Sequence, residues 1–268
     1  MVTGRLLRTF LRLATSVTLL FVYVPIALIF VYAFNDSAST AWPPASFSLK
    51  WTLEAFRNTA LVEAFLTSVI VAFGATIIAL VLGVLASLAV SRYRFFGREA
   101  ISFVVIFPIA LPGIITGIAL ATSFAQLDFP LGILSIVVGH ATFCIVLVYN
   151  NALARLRRTA GSFEEASADL GAHTWQTFRY VTFPAVRSAL LAGALLAFAL
   201  SFDEVIVTIF TNGGVKTLPI WIFESFRVAN QVTLVSVAGM IAILLSVIPV
   251  YLATRISGDA SGVTGARG

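Results

Sequence analysis

The sequence predicts an all-α integral membrane protein with six transmembrane helices and cytoplasmic N- and C-termini. Three observations carry this. Of 268 residues, 59% are hydrophobic and only 11% are charged, with a mean hydropathy of +1.01, whereas a soluble domain has about a quarter charged. The apolar residues gather into six runs able to cross a hydrocarbon core of about 30 Å. The basic residues stand beside alternate ends of those runs, as the positive-inside rule places them. The net charge of +5 therefore reflects topology, with the lipid bilayer as partner and no nucleic acid. The single cysteine, Cys144, lies inside an apolar run, which excludes an intrachain disulfide and reads as a small buried hydrophobe.

Residues 1–12, with Arg5, Arg8 and Arg12, form a basic cytoplasmic segment ahead of the first span at about 13–34. This run exceeds a signal-peptide core of about 7–15 residues and no small-residue cleavage site follows, so it is expected to be retained. Pro25 within it predicts a kink. Residues 35–63 are an external loop, in which 50–60, with Trp51, suits a short amphipathic helix at the interface. The second span, about 64–90, ends at a basic turn holding Arg92, Arg94 and Arg98. The third, about 100–125, contains Pro108, Pro112, Gly113 and Gly117, which predict a broken helix. Such backbone is tolerated only inside protein or beside a water-filled cavity and often lines transport sites; a packing kink is the other reading.

The fourth span, about 131–153, holds His140. Ordinary hydrogen bonding with Ser135, Gly139 or Thr142 is favoured for it over a transport role. The fifth span, about 185–210, stops at Thr211-Asn212-Gly213-Gly214, and an external loop with Lys216, Pro219 and Trp221 leads to the sixth, about 232–254. The Gly/Ser/Ala-rich tail, 257–268, is expected to be disordered. Residues 13–256 thus form one membrane domain. This threading puts Arg5, Arg8, Arg12, Arg92, Arg94, Arg98, Arg155, Arg157, Arg158, Arg179, Arg187, Arg255 and Arg267 inside, and only Lys50, Arg57, Lys216 and Arg227 outside.

Between the fourth and fifth spans lies a polar island, residues 155–184, too charged and too helix-prone to be a passive link. Ser162 followed by Glu165 has the spacing of a capping box. Glu164, Glu165 and Asp169 favour the positive end of the resulting helix, and Gly171 is placed to end it. A second amphipathic stretch from Trp175 to Val181 leads to Pro184.

The island resembles the cytoplasmic loop of bacterial ABC importer permeases. Their signature is Glu-Ala-Ala, three residues, Gly, nine residues, an aliphatic, one residue and Leu-Pro. Here Glu165-Ala166-Ser167, Gly171, Val181 and Phe183-Pro184 keep every spacing, with Ser167 and Phe183 as departures. A second resemblance, through Ser201-Phe202-Asp203-Glu204-Val205-Ile206-Val207 and Leu218-Pro219, is to permeases of the spermidine/putrescine type. Many of these carry Asn-Ser-aliphatic near the second span; Thr67-Ser68-Val69 stands here instead. The resemblance implies a type I ABC importer permease architecture in a bacterial inner membrane. It also implies two partner ATPase subunits, a sister permease (heterodimer or homodimer) and an extracytoplasmic substrate-binding protein. Glu164, Glu165, Ala166, Asp169, Gly171 and Pro184 would serve ATPase coupling. The chain lacks a GxxxxGK[ST] loop. ATP and Mg would be bound by the partner ATPase, with no cofactor, metal or catalytic residue in this chain.

Asp203 and Glu204 are adjacent carboxylates inside the predicted fifth helix. A charge in the bilayer core costs roughly 2.5–3.5 kcal/mol on insertion scales, so such residues are usually functional. Glu204 shares a helical face with Ser201 and Thr208, and these with Asp203 beside them form a candidate substrate path for a cation. The other reading is a bond to the sister permease. The leading expectation is an importer for polyamine-like cations. An importer of opines, amino-acid derivatives, metal complexes or sugars is the alternative, a secondary transporter is a further one, and no nucleophile constellation supports an enzyme.

Overall fold

In lipid, a helix satisfies every backbone N–H and C=O within its own segment, so long apolar runs fold as helices. The computed structural model describes residues 4–37, 41–44, 46–159, 161–228 and 231–262. In order the helices are α1 (Arg5–Ala33), α2 (Lys50–Arg57), α3 (Thr59–Arg92), α4 (Arg98–Ala110), α5 (Gly113–Gln126), α6 (Ile133–Arg158), α7 (Ser162–Asp169), α8 (Thr174–Thr177), a π-helical turn (Phe178–Thr182), α9 (Phe183–Phe202), α10 (Ile206–Thr211), α11 (Leu218–Ser225) and α12 (Val232–Gly262). Among the described residues five helices are long and apolar enough to cross a membrane, and the pair α4 and α5 adds a sixth if it is one span.

Several boundaries differ from the sequence expectation. The third span is two helices bent by 108° at Leu111-Pro112, where proline removes a backbone donor. The helix of the fifth span does not start at 185 but at Thr174, and runs to Phe202. Pro184 is tolerated inside it because the wide turn at Phe178–Thr182 comes just before. The segment after the fifth span, expected as a loop, contains α11, and α12 extends through residues expected to be disordered, as far as Gly262. The rest of that tail, 263–268, lies outside the described residues.

The chain divides into two compact units. The first, Met1–Val62 with Trp221–Ile243, contains α1 and the predicted interfacial helix α2. A turn joins them: Ser48 N–H donates to the Phe34 carbonyl (2.8 Å) and Trp51 Nε1–H to the Asp36 carbonyl (2.9 Å).

The second unit, Glu63–Ile220 with Leu244–Gly268, is built on close crossings at glycine. A side chain at Gly83 of α3 would lie 3.1 Å from the Ile145 carbonyl, and at Gly193 of α9 it would lie 3.2 Å from Val148 Cα, so α6 is gripped from both sides. The pairs Gly74–Val137 and Gly83–Val148 set α3 and α6 parallel. Gly193 against Val148 and Cys144 Sγ donating to the Ala197 carbonyl (3.3 Å) set α6 antiparallel to α9. Gly113 against Ile206 and Gly117 against Phe210 lay α5 alongside α10 in parallel. The interruption of the third span and that of the fifth therefore meet.

Candidate functional site

The polar island folds into α7, α8 and the start of the fifth helix. α7 begins one residue earlier than a capping box requires: Gly161 precedes it, and the Gly161 carbonyl accepts the N–H groups of Glu164 (2.9 Å) and Glu165 (3.0 Å). Ser162 is inside the first turn and does not cap. Glu164 and Glu165 lie in that turn, but Asp169 is the last helical residue, at the negative end and not the positive one. Gly171 has φ +84°, and its N–H donates to the Ala168 carbonyl (2.9 Å) while Ala172 N–H donates to that of Ser167 (3.1 Å). This is a Schellman stop, in which a residue with a Cβ is strained.

The two glutamates diverge. Glu164 Oε1 accepts from Arg92 Nη2 and from Thr182 Oγ1, both at 2.8 Å, tying α7 to the end of α3 and to the π-helical turn. A cavity of about 310 Å³ opens beside this pair, lined by Leu88, Tyr93 and Phe178 among others. Glu165, Ala166 and Asp169 point outward with Phe163 and Leu170, the last 90% exposed. Ser167, in place of the signature's alanine, meets Thr177 Oγ1 across 3.1 Å and joins α7 to α8. Arg92 and Thr182 were not singled out by sequence reasoning; Arg92 lies 72 residues from its partner, and only a basic position at the end of a span hinted at it.

The second candidate region is the interruption after α9. The fifth helix is not continuous through Asp203 and Glu204, as the sequence suggested, but breaks there and restarts at Ile206. Glu204 Oε1 accepts the Val207 N–H (3.0 Å), capping α10. Asp203 is exposed, and no hydrogen bond or ion pair reaches its carboxylate among the described residues. Ser201 and Thr208, proposed for a substrate path, are instead buried and turned toward His140. His140 Nδ1 lies 2.8 Å from Ser201 Oγ and Nε2 lies 2.8 Å from Thr208 Oγ1. The residues expected to serve His140 bond elsewhere: Ser135 to the Thr211 carbonyl (2.7 Å), and Thr142 to the Gly139 carbonyl (2.6 Å). Ser68 and Leu218, both quoted for the resemblance, are joined: Leu218 N–H donates to Ser68 Oγ at 2.8 Å, buried. Among the described residues no group of three or more His, Cys, Asp or Glu could hold a metal ion.

Comparison with known proteins places this architecture. Residues 79–260 match the family described as binding-protein-dependent transport system inner membrane component. The putrescine transport system permease protein PotI of Escherichia coli (strain K12) is 34% identical over 230 residues, 82% of this chain and 81% of that protein. The spermidine/putrescine transport system permease protein PotC of Haemophilus influenzae is 32% identical over 253 residues, 93% and 97% of the two chains. Among solved structures, a bacterial ABC transporter involved in the import of the acidic polysaccharide alginate superposes with a TM-score of 0.72 at 12% identity, covering 97% of this chain and 96% of that one.

Proposed function

Because this chain belongs to the binding-protein-dependent transport system inner membrane component family, we propose that it carries polyamine-like cations across a bacterial inner membrane. The chain is the multi-pass permease subunit of an ABC importer and is not itself the ATPase. In our reading it forms half of the translocation path beside a sister permease, with α7 seated in a cleft of one of two ATPase subunits and a binding protein delivering cargo from outside. In the same reading the end bearing Arg92, Arg155 and α7 faces the cytoplasm, where the positive-inside rule puts the basic turn of Arg92, Arg94 and Arg98 and the basic last turn of α6.

The observation that carries the cargo reading is Asp203, an exposed carboxylate with no hydrogen-bond or ion-pair partner among the described residues, where two interrupted helices meet. Broken helices at membrane depth are where transporters place substrate groups, and a carboxylate there favours a cation and repels an anion. The architecture by itself does not choose the cargo, since the alginate importer shares it. The relatives PotI and PotC, named for putrescine and spermidine, support a cationic choice.

The test is to reconstitute the complex with its binding protein and measure ATP hydrolysis across candidate cargoes. Stimulation by spermidine or putrescine, with none by sugars or anions, is the expected outcome. Stimulation by a sugar or an anion, with polyamines silent, overturns it.

A further inference from the structure

α6 runs antiparallel to α9 and on past α10, so the three form a hairpin with α7 and α8 at its tip. At the far end of the hairpin His140 is fully buried between residues on opposite sides of the interruption. Ser201 precedes the break and Thr208 follows it.

Proton counting sets the direction of each bond. The Thr208 hydroxyl donates to the Glu204 carbonyl at 2.9 Å. A hydroxyl has one proton, so toward the ring Thr208 can only accept, and Nε2 must carry the hydrogen. In the neutral imidazole Nδ1 is then the acceptor, filled by the Ser201 hydroxyl. A single chain of bonds results: Ser201 O–H to Nδ1, Nε2–H to Thr208 Oγ1, and Thr208 O–H to the Glu204 carbonyl. It spans the gap that the helix ladder leaves open. With His140, Ser201 and Thr208 all buried, bulk water is not at hand to replace a lost link.

We propose that His140 is a positioning residue for transport: its ring ties both halves of the interrupted fifth span to α6, so that Asp203 and Glu204 move with the α6–α9 hairpin and not on a free hinge at residues 203–205. This rests on the reading of Asp203 as a cargo contact. His140 itself touches no cargo; it fixes where the carboxylates stand while the tip of the hairpin is driven by the ATPase.

The test uses the assembled importer with spin labels at Leu200→Cys and Ile209→Cys, both exposed and flanking the break, after Cys144→Ala. His140→Phe fills the space without bridging. It is expected to widen the label–label distance distribution and to lower uptake per assembled complex about tenfold, the scale of two lost intramembrane hydrogen bonds. Stimulation of ATP hydrolysis by the binding protein should persist. Ser201→Ala removes only the Nδ1 link and should produce a smaller effect of the same kind. His140→Gln, whose amide offers a donor and an acceptor, should recover part of the uptake. A distance distribution as narrow as in the parent complex, or unchanged uptake per complex, overturns the proposal. If His140→Phe fails to assemble, Ser201→Ala decides by the same two readouts. The distance measurement needs no cargo, so a parent complex that ignores polyamines would sink the cargo reading while the labels still judge the brace.

Discussion

Around α7 the polar groups are charged and half in water, whereas around residues 201–208 most are neutral and sealed. Glu164 and Arg92 form an ion pair with each side chain 21% exposed. His140, Ser201 and Thr208 are bonded with no more than 3% exposure. The difference follows from the solvent available. An ion pair near water contributes about 1 kcal/mol or less, because water competes for both partners. A bond at membrane depth is of similar net size, about 0.6 kcal/mol on average, but nothing replaces it when it breaks. Loss of one contact should therefore matter less at α7, where water can take its place, than at the interruption, where each lost link loosens the break. Asp203 fits neither pattern. It is a carboxylate in the apolar part of the chain with no hydrogen-bond or ion-pair partner among the described residues, and a charge at the centre of a bilayer costs roughly 2.5–3.5 kcal/mol.

The largest effect should therefore come from Asp203. Asp203→Asn is expected to lower cation uptake more than about tenfold, the loss of one charge-assisted contact, with the complex still assembled. Glu204→Gln should cost little, because the amide oxygen can still accept the Val207 N–H. Equal losses in radiolabelled uptake assays would erase the distinction between the two carboxylates. Next comes Gly171→Asp, which forces a side chain into φ +84° and puts a negative charge at the negative end of α7. Together these cost about 1–2 kcal/mol locally. Membrane insertion should be normal while ATP hydrolysis no longer drives uptake; transport at the parent rate would remove α7 from the coupling path. The smallest change is expected for Glu164→Gln. Thr182 can still donate to the amide oxygen, so thermal stability of the complex should fall by no more than about 1 kcal/mol. A collapse of assembly there would mean that the ion pair behaves like a buried one.

How legible each region was depends on whether its cause is local. Pro112 and Gly113 announce the bend in the third span because their backbone chemistry is visible in the sequence. Gly171 announces the end of α7 in the same way. The break after Phe202 has no proline or glycine, so hydropathy drew an unbroken helix through it. Its cause is a side chain: Glu204 takes the Val207 N–H that a continuous helix would direct to the Asp203 carbonyl. The paired carboxylates were the only sign, and they were read as cargo contacts before they were read as helix breakers. The partners of His140 and Glu164 lie 61 to 72 residues away for Ser201, Thr208 and Arg92, and no local pattern encodes such pairings.

The double grip on Val148 has one more consequence. Gly83 and Gly193 bring the backbones of α3 and α9 against the same turn of α6, so neither position can take a side chain without prising two helices apart. From Val148 to His140 is about 12 Å and from Val148 to Arg158 about 15 Å, at 1.5 Å per residue. The grip thus divides that stretch of α6 into two arms of nearly equal length, one ending beside α7 and the other at the interruption of the fifth span.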